Sequence, residues 1–107
     1  MKFKDSEYKV LKILESRPNI TQRGLASELG LSLGKTHYVL KALIERGWVK
    51  LENFKRSDKK LGYLYILTPT GILKKSVLAG NFLEIKIEEY EKLKKEIELL
   101  KKESEEN

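Results

Sequence analysis

The chain has 107 residues, of which 40% are hydrophobic and 36% charged, enough for one small core under a heavily solvated surface. It contains no cysteine, which excludes disulfides, thiolate metal sites and thiol catalysis, and no run near the ~20 apolar residues that a membrane span needs. The net charge of +6 is uneven: residues 1–80 carry 16 Lys and Arg against 7 Asp and Glu, and residues 81–107 carry 6 Lys against 9 Glu, so the body suits a polyanion and the tail a separate task.

Met1-Lys2-Phe3-Lys4-Asp5 has no apolar stretch behind its lysines, so no secretory signal is expected and a cytoplasmic location is. Asp5-Ser6 is expected to cap a first helix, whose apolar residues Tyr8, Val10, Leu11, Ile13 and Leu14 recur at helical spacing. Arg17-Pro18-Asn19 stops it, because proline disfavours helix in the residue before it. Thr21 is an N-cap for a short second helix, Gln22 to Leu29, although Gly24 stands where a capping-box glutamate would reciprocate. Leu25 and Leu29 share a face, and Ala26 beside them allows close packing. Gly30 is placed to end this helix in the left-handed conformation, Leu31 plugs the turn, and Ser32 caps a third helix.

The third helix is predicted from Leu33 to about Arg46, with Gly47 ending it. Leu33, Thr36, Leu40 and Leu43 fall on one side, flanked by Val39 and Ile44; Gly34, His37, Tyr38, Lys41 and Glu45 fall opposite. Two helices joined by a short glycine-containing turn make a helix-turn-helix. Trp48 to Phe54 and Leu61 to Leu67 are β-prone, and the polar run Lys55-Arg56-Ser57-Asp58-Lys59-Lys60 between them predicts a hairpin with a basic tip. Thr68-Pro69 starts a last helix, with Gly80-Asn81 as a possible kink. Beyond it Leu83, Ile87, Tyr90, Leu93, Ile97 and Leu100 recur at three- and four-residue steps, a coiled-coil-like seam.

Gly34-Lys35-Thr36 looks like the end of a nucleotide-binding loop. That motif needs four residues between its first glycine and the Gly-Lys pair, whereas Gly30 leaves three, and a helix rather than a strand precedes it. The helix-turn-helix explains the same residues. Gly34 lets a backbone approach phosphate, Lys35 and Lys41 contact phosphates, and His37 and Tyr38 read base edges in a major groove. Thr21, Gln22 and Arg23 anchor the backbone from the second helix. Lys55, Arg56, Lys59 and Lys60 at the hairpin tip reach phosphates or a minor groove. The alternative for each group is a solvated surface. His37 is the sole histidine, so no metal site or cofactor is expected, and no catalytic constellation is present. The seam either packs on its own domain or pairs with a second chain. Its distance from the body favours pairing, and a two-fold dimer suits two half-sites.

The run NITQRGLASELGLSLGKTHYVLKALIERGWV resembles the core of MarR-type regulators, and YLYILTPTGI resembles the LTxxG segment leading from their wing into the dimerisation helix. Within that family, SLGKTHYVLKALIERGWVKLENFK with LGYLYILTPTGI and a glutamate- and lysine-rich last helix is similar to the EPS-associated MarR-like regulators, named for exopolysaccharide gene clusters. The resemblance implies a mainly α fold with a small β-hairpin: a winged helix-turn-helix over residues 1–70 and a long C-terminal dimerisation helix over residues 71–107. It implies a homodimer that binds double-stranded DNA and controls transcription, with Ser32, Gly34, Lys35, His37, Tyr38 and Lys41 on the recognition helix. Two departures stand out. Gly24 replaces the acidic residue expected three after the cap, and the family's extra N-terminal helix has no counterpart before the first helix. A small-molecule effector site of the usual kind is therefore not expected. Protein capture and RNA binding are the alternatives to DNA.

Overall fold

The structure, a computed structural model, describes residues 3–55 and 61–105, with side chains for 5–53 and 62–105. Four helices and one hairpin follow in the order α1 (Phe3–Ser16), α2 (Gln22–Leu29), α3 (Leu33–Glu45), β1 (Val49–Lys55), β2 (Leu61–Leu67) and α4 (Pro69–Glu105). The strands pair antiparallel from Val49 opposite Leu67 to Lys55 opposite Leu61. Arg56, Lys59 and Lys60, expected at the hairpin tip, lie outside the described residues, and Lys55 is placed only as the backbone end of β1.

The caps form as the sequence indicates. The Thr21 hydroxyl accepts from the Gly24 amide at 2.9 Å, and Ser32 Oγ accepts from the Lys35 amide at 3.1 Å. Gly30 closes α2 at φ 66° and Gly47 follows α3 at φ 75°, both in the left-handed region where a side chain is strained. Three details differ from the sequence reading. Helix α1 begins at Phe3, so Asp5 sits inside its first turn, where a carboxylate favours the helix dipole without capping, and Ser6 is buried. Leu33, the first residue of α3, is 45% exposed rather than part of the core. Val39 occupies the buried face with Thr36, Leu40 and Leu43. Where the sequence left the continuity of the last helix open, α4 runs through Gly80-Asn81 without interruption.

The core lies where α1, α2 and α3 converge. Leu11, Leu14, Leu25, Leu40 and Leu43 are fully buried, each stabilising the fold by about 1.5–3 kcal/mol. Val49 and Tyr65 join it from the hairpin and Leu78 from α4. Glu7 is buried beneath the helices with its side chain 5% exposed, and Arg46 donates to its carboxylate. The same guanidinium lies 5.2 Å from the centre of the Trp48 ring, with Lys74 Nζ at 5.9 Å from that centre. A salt bridge thus ties α1 to the end of α3, while the two cations on Trp48 bring α3 and α4 together there.

The junction between the hairpin and α4 is built on one carbonyl. Trp48 O accepts from the Thr68 amide at 3.0 Å, and Thr68 Oγ1 donates to Gly47 O while accepting from the Gly71 amide. Gly71 is pressed so close that a Cβ there would lie 1.9 Å from Trp48 O. This close approach explains the glycine of the LTPTG segment. Farther along, Lys75 pairs with Glu15 at 2.6 Å and the Phe82 ring packs on Tyr8 at 5.2 Å between centroids. From Leu83 onward every described residue of α4 is exposed.

Candidate nucleic-acid interface

Burying Thr36, Val39, Leu40 and Leu43 fixes the rotation of α3 about its axis. At about 100° per residue, the opposite stripe is centred on Gly34, Tyr38, Lys41 and Glu45. Gly34, Tyr38 and Lys41 are exposed, Tyr38 at 67%. His37 lies on the flank toward the hairpin and Lys35 on the other flank, both exposed. A Cβ on Gly34 would meet nothing within 4 Å, so internal packing does not call for glycine there.

Between α3 and the hairpin runs an open cleft of about 310 Å³, lined by His37 and Lys41 from α3, Gln22 from α2, and Leu51 and Tyr65 from the strands. Its floor is pinned by two bonds that the sequence did not announce. The Tyr65 amide donates to Pro18 O at 2.9 Å, and Gln22 Nε2 donates to the Tyr65 hydroxyl at 3.1 Å. Tyr65 is buried and its hydroxyl is satisfied, as a buried tyrosine requires. Gln22, expected to anchor a DNA backbone, therefore has an internal partner and fixes the hairpin against the start of α2. Only the β-propensity of Tyr65 was visible in the sequence; a pairing across 43 residues carries no local signal.

The cations divide into two sets. Arg17 bonds Glu28 at 2.9 Å and holds its carboxyl below the usual range, first by that hydrogen bond and then by its charge. Lys50 bonds Glu52 at 2.9 Å, which raises the lysine, and Lys75 and Arg46 are also paired. Arg23, Lys35 and Lys41 have no ion-pair partner among the described residues. Among the described residues, the cations around the α2 start and the α3 face are thus not neutralised internally, a property they share with Lys9, Lys12 and Lys74 and with the α4 lysines beyond Lys86. Among the described residues no cluster of three or more His, Asp or Glu is placed to hold a metal, and no described helix is long and apolar enough to cross a membrane.

A family model described as winged helix-turn-helix DNA-binding matches residues 3–50, the stretch from α1 into β1. The chain has the winged helix-turn-helix fold. Here α3 occupies the recognition-helix position and β1 and β2 form the wing. The winged helix shares its fold with solved MarR-family regulators. A MarR/EmrR family transcriptional regulator from Acinetobacter sp. ADP1 superposes with TM-score 0.61 at 21% identity, covering 75% of this chain and 55% of that one. The PcaV transcriptional regulator from Streptomyces coelicolor, solved with its natural ligand, gives 0.60 at 23% identity over 75% and 55%. FabT from Streptococcus pneumoniae, solved with DNA, gives 0.54 at 21% identity over 78% and 56%. The chain spans about half the length of these structures. No curated protein sequence matches it. What the chain shares with these regulators is the winged-helix fold.

Proposed function

We propose that this protein is a cytoplasmic, sequence-specific transcriptional repressor that binds its operator as a homodimer. Residues 1–70 serve as the DNA-binding unit and residues 71–107 as the dimerising segment. The observation that carries the reading is the α3 stripe: an exposed Gly34-Tyr38-Lys41 face, flanked by His37 and Lys35, with lysines that have no internal ion-pair partner. Tyr38 and His37 read base edges in the major groove, while Lys35, Lys41 and Arg23 hold phosphates. Gly34 and the caps Thr21 and Ser32 bring helix starts close to the backbone, where amides favour an anion. The wing-tip cations Lys55, Arg56, Lys59 and Lys60 extend the interface along the duplex. The similarity to EPS-associated regulators points to operators near exopolysaccharide genes.

The dimer reading rests on α4. Leu83, Ile87, Tyr90, Leu93, Ile97 and Leu100 are each between 45% and 62% exposed on a helix that projects from the body, and the protein is 71 Å long by 27 and 23 Å across. Burying that apolar face against a second copy removes it from water.

Two substitutions separate phosphate binding from base reading. Lys41→Ala is expected to weaken binding to all duplexes alike. It should also make the dependence of log K on log salt shallower by about two units, the share of one neutralised phosphate from each of the two protomers. Tyr38→Ala is expected to leave that slope in place and relax sequence preference at one position of each half-site. Fluorescence anisotropy across a salt series, with matched RNA duplexes as competitors, checks both. Unchanged slopes and preferences would remove these residues from the interface, and stronger retention of RNA would replace DNA as the ligand.

A further inference from the structure

The charges beside the α4 seam define how two copies pair. Taking Tyr90 as heptad position a puts Leu93 at d, Ile97 at a, Leu100 at d and Ser104 at a. Glu89, Glu96 and Glu103 then fall at g, and Lys94 and Lys101 at e. From Glu89 onward, every g position is acidic and every e position is basic. These residues flank an apolar stripe exposed along its whole length on one unbroken helix. Upstream, Lys86 at d donates to Glu89 of its own helix at 3.1 Å, so the strict repeat starts at Tyr90, with Leu83 and Ile87 continuing the apolar face toward the body.

We infer that the occupant of this face is a second copy of the chain lying parallel and in register, specified by the Glu-g and Lys-e pattern. In that arrangement each g residue faces the e residue five positions farther along the other copy. Glu89 meets Lys94 and Glu96 meets Lys101, and two-fold symmetry repeats both pairs. An antiparallel pair would set g against g and e against e, bringing glutamate to glutamate and lysine to lysine. The core is the same in either case, so the flanking charges decide the direction. The parallel arrangement places both winged helices at the same end of the coil, side by side, where one duplex reaches both α3 faces. An antiparallel coil would hold them at opposite ends. The inference rests on the homodimer reading and adds its geometry.

The absence of native cysteine makes the test clean. Ser104→Cys puts one thiol at an a position, which meets its own counterpart only in a parallel, in-register pair. Lys102→Cys, at f, faces away from any partner. After oxidation, Ser104→Cys is expected to run at twice its mass on a non-reducing gel while Lys102→Cys does not. A second variant exchanges the charges: Glu89→Lys, Glu96→Lys, Lys94→Glu and Lys101→Glu together. The parallel pair predicts that this chain dimerises with itself and does not exchange with the wild type. Light scattering fixes the oligomeric state in each case. A dimer in which Ser104→Cys fails to crosslink, or in which the exchanged chain pairs preferentially with the wild type, overturns the parallel arrangement and leaves the dimer standing. A monomer overturns the dimer reading itself.

Discussion

Gly71→Ala is expected to destabilise the protein by about 1–3 kcal/mol or more, the cost of an overpacking that backbone cannot relieve. The new methyl would lie 1.9 Å from Trp48 O, and that carbonyl is held by the Thr68 amide. Moving it opens the joint between α3, the wing and α4, where Thr68 also caps the last helix. Gly80→Ala, in the same helix, meets nothing within 4 Å and is expected to be neutral or to stabilise by up to about 1 kcal/mol, the ordinary difference between glycine and alanine in a helix. Urea unfolding of both variants at one protomer concentration gives the comparison. Equal midpoints would show that the close approach at Gly71 is not a constraint.

Replacing Leu93 and Ile97 together by asparagine is expected to give a monomer by light scattering and to lower affinity for a two-half-site duplex by about 10²-fold or more, since the second half-site no longer benefits from tethering. Both side chains lie on the exposed seam, 55% and 45% accessible, so their replacement leaves the core of the body untouched. Helix α1 to wing packing should persist, which near-ultraviolet dichroism from Trp48 and Tyr65 can follow. A double variant that remains dimeric would move the interface off this seam.

The fold was legible because its signals are local. Caps at Thr21, Ser32 and Thr68, left-handed glycines at 30 and 47, and the switch from helical to β-prone texture at Trp48 each announce an element boundary within a few residues. The start of α1 was misread where two local rules compete: Asp5 stabilises a first turn from inside as readily as from the cap, so α1 starts at Phe3. Leu33 illustrates a second limit, because helical periodicity gives the side of a helix but not how far the neighbouring elements extend along it. Gly34, Tyr38, Lys41 and His37 were readable as an outward face, since the buried stripe fixes its complement. The bonds that set the site were not readable. Gln22 to Tyr65, Arg46 to Glu7 and the Gly71 approach to Trp48 join residues 20 or more apart in sequence, and only the folded chain brings them together.

Selection of bound duplexes from a random pool by the full-length protein tests the central claim most directly. The α3 stripe on a two-fold dimer predicts enrichment of a site with two related half-sites whose centres lie about 10–10.5 base pairs, one helical turn, or a multiple of that apart. It also predicts that Tyr38→Ala blurs one position in each half. Retained duplexes with no common sequence would contradict a reading of base edges by this helix.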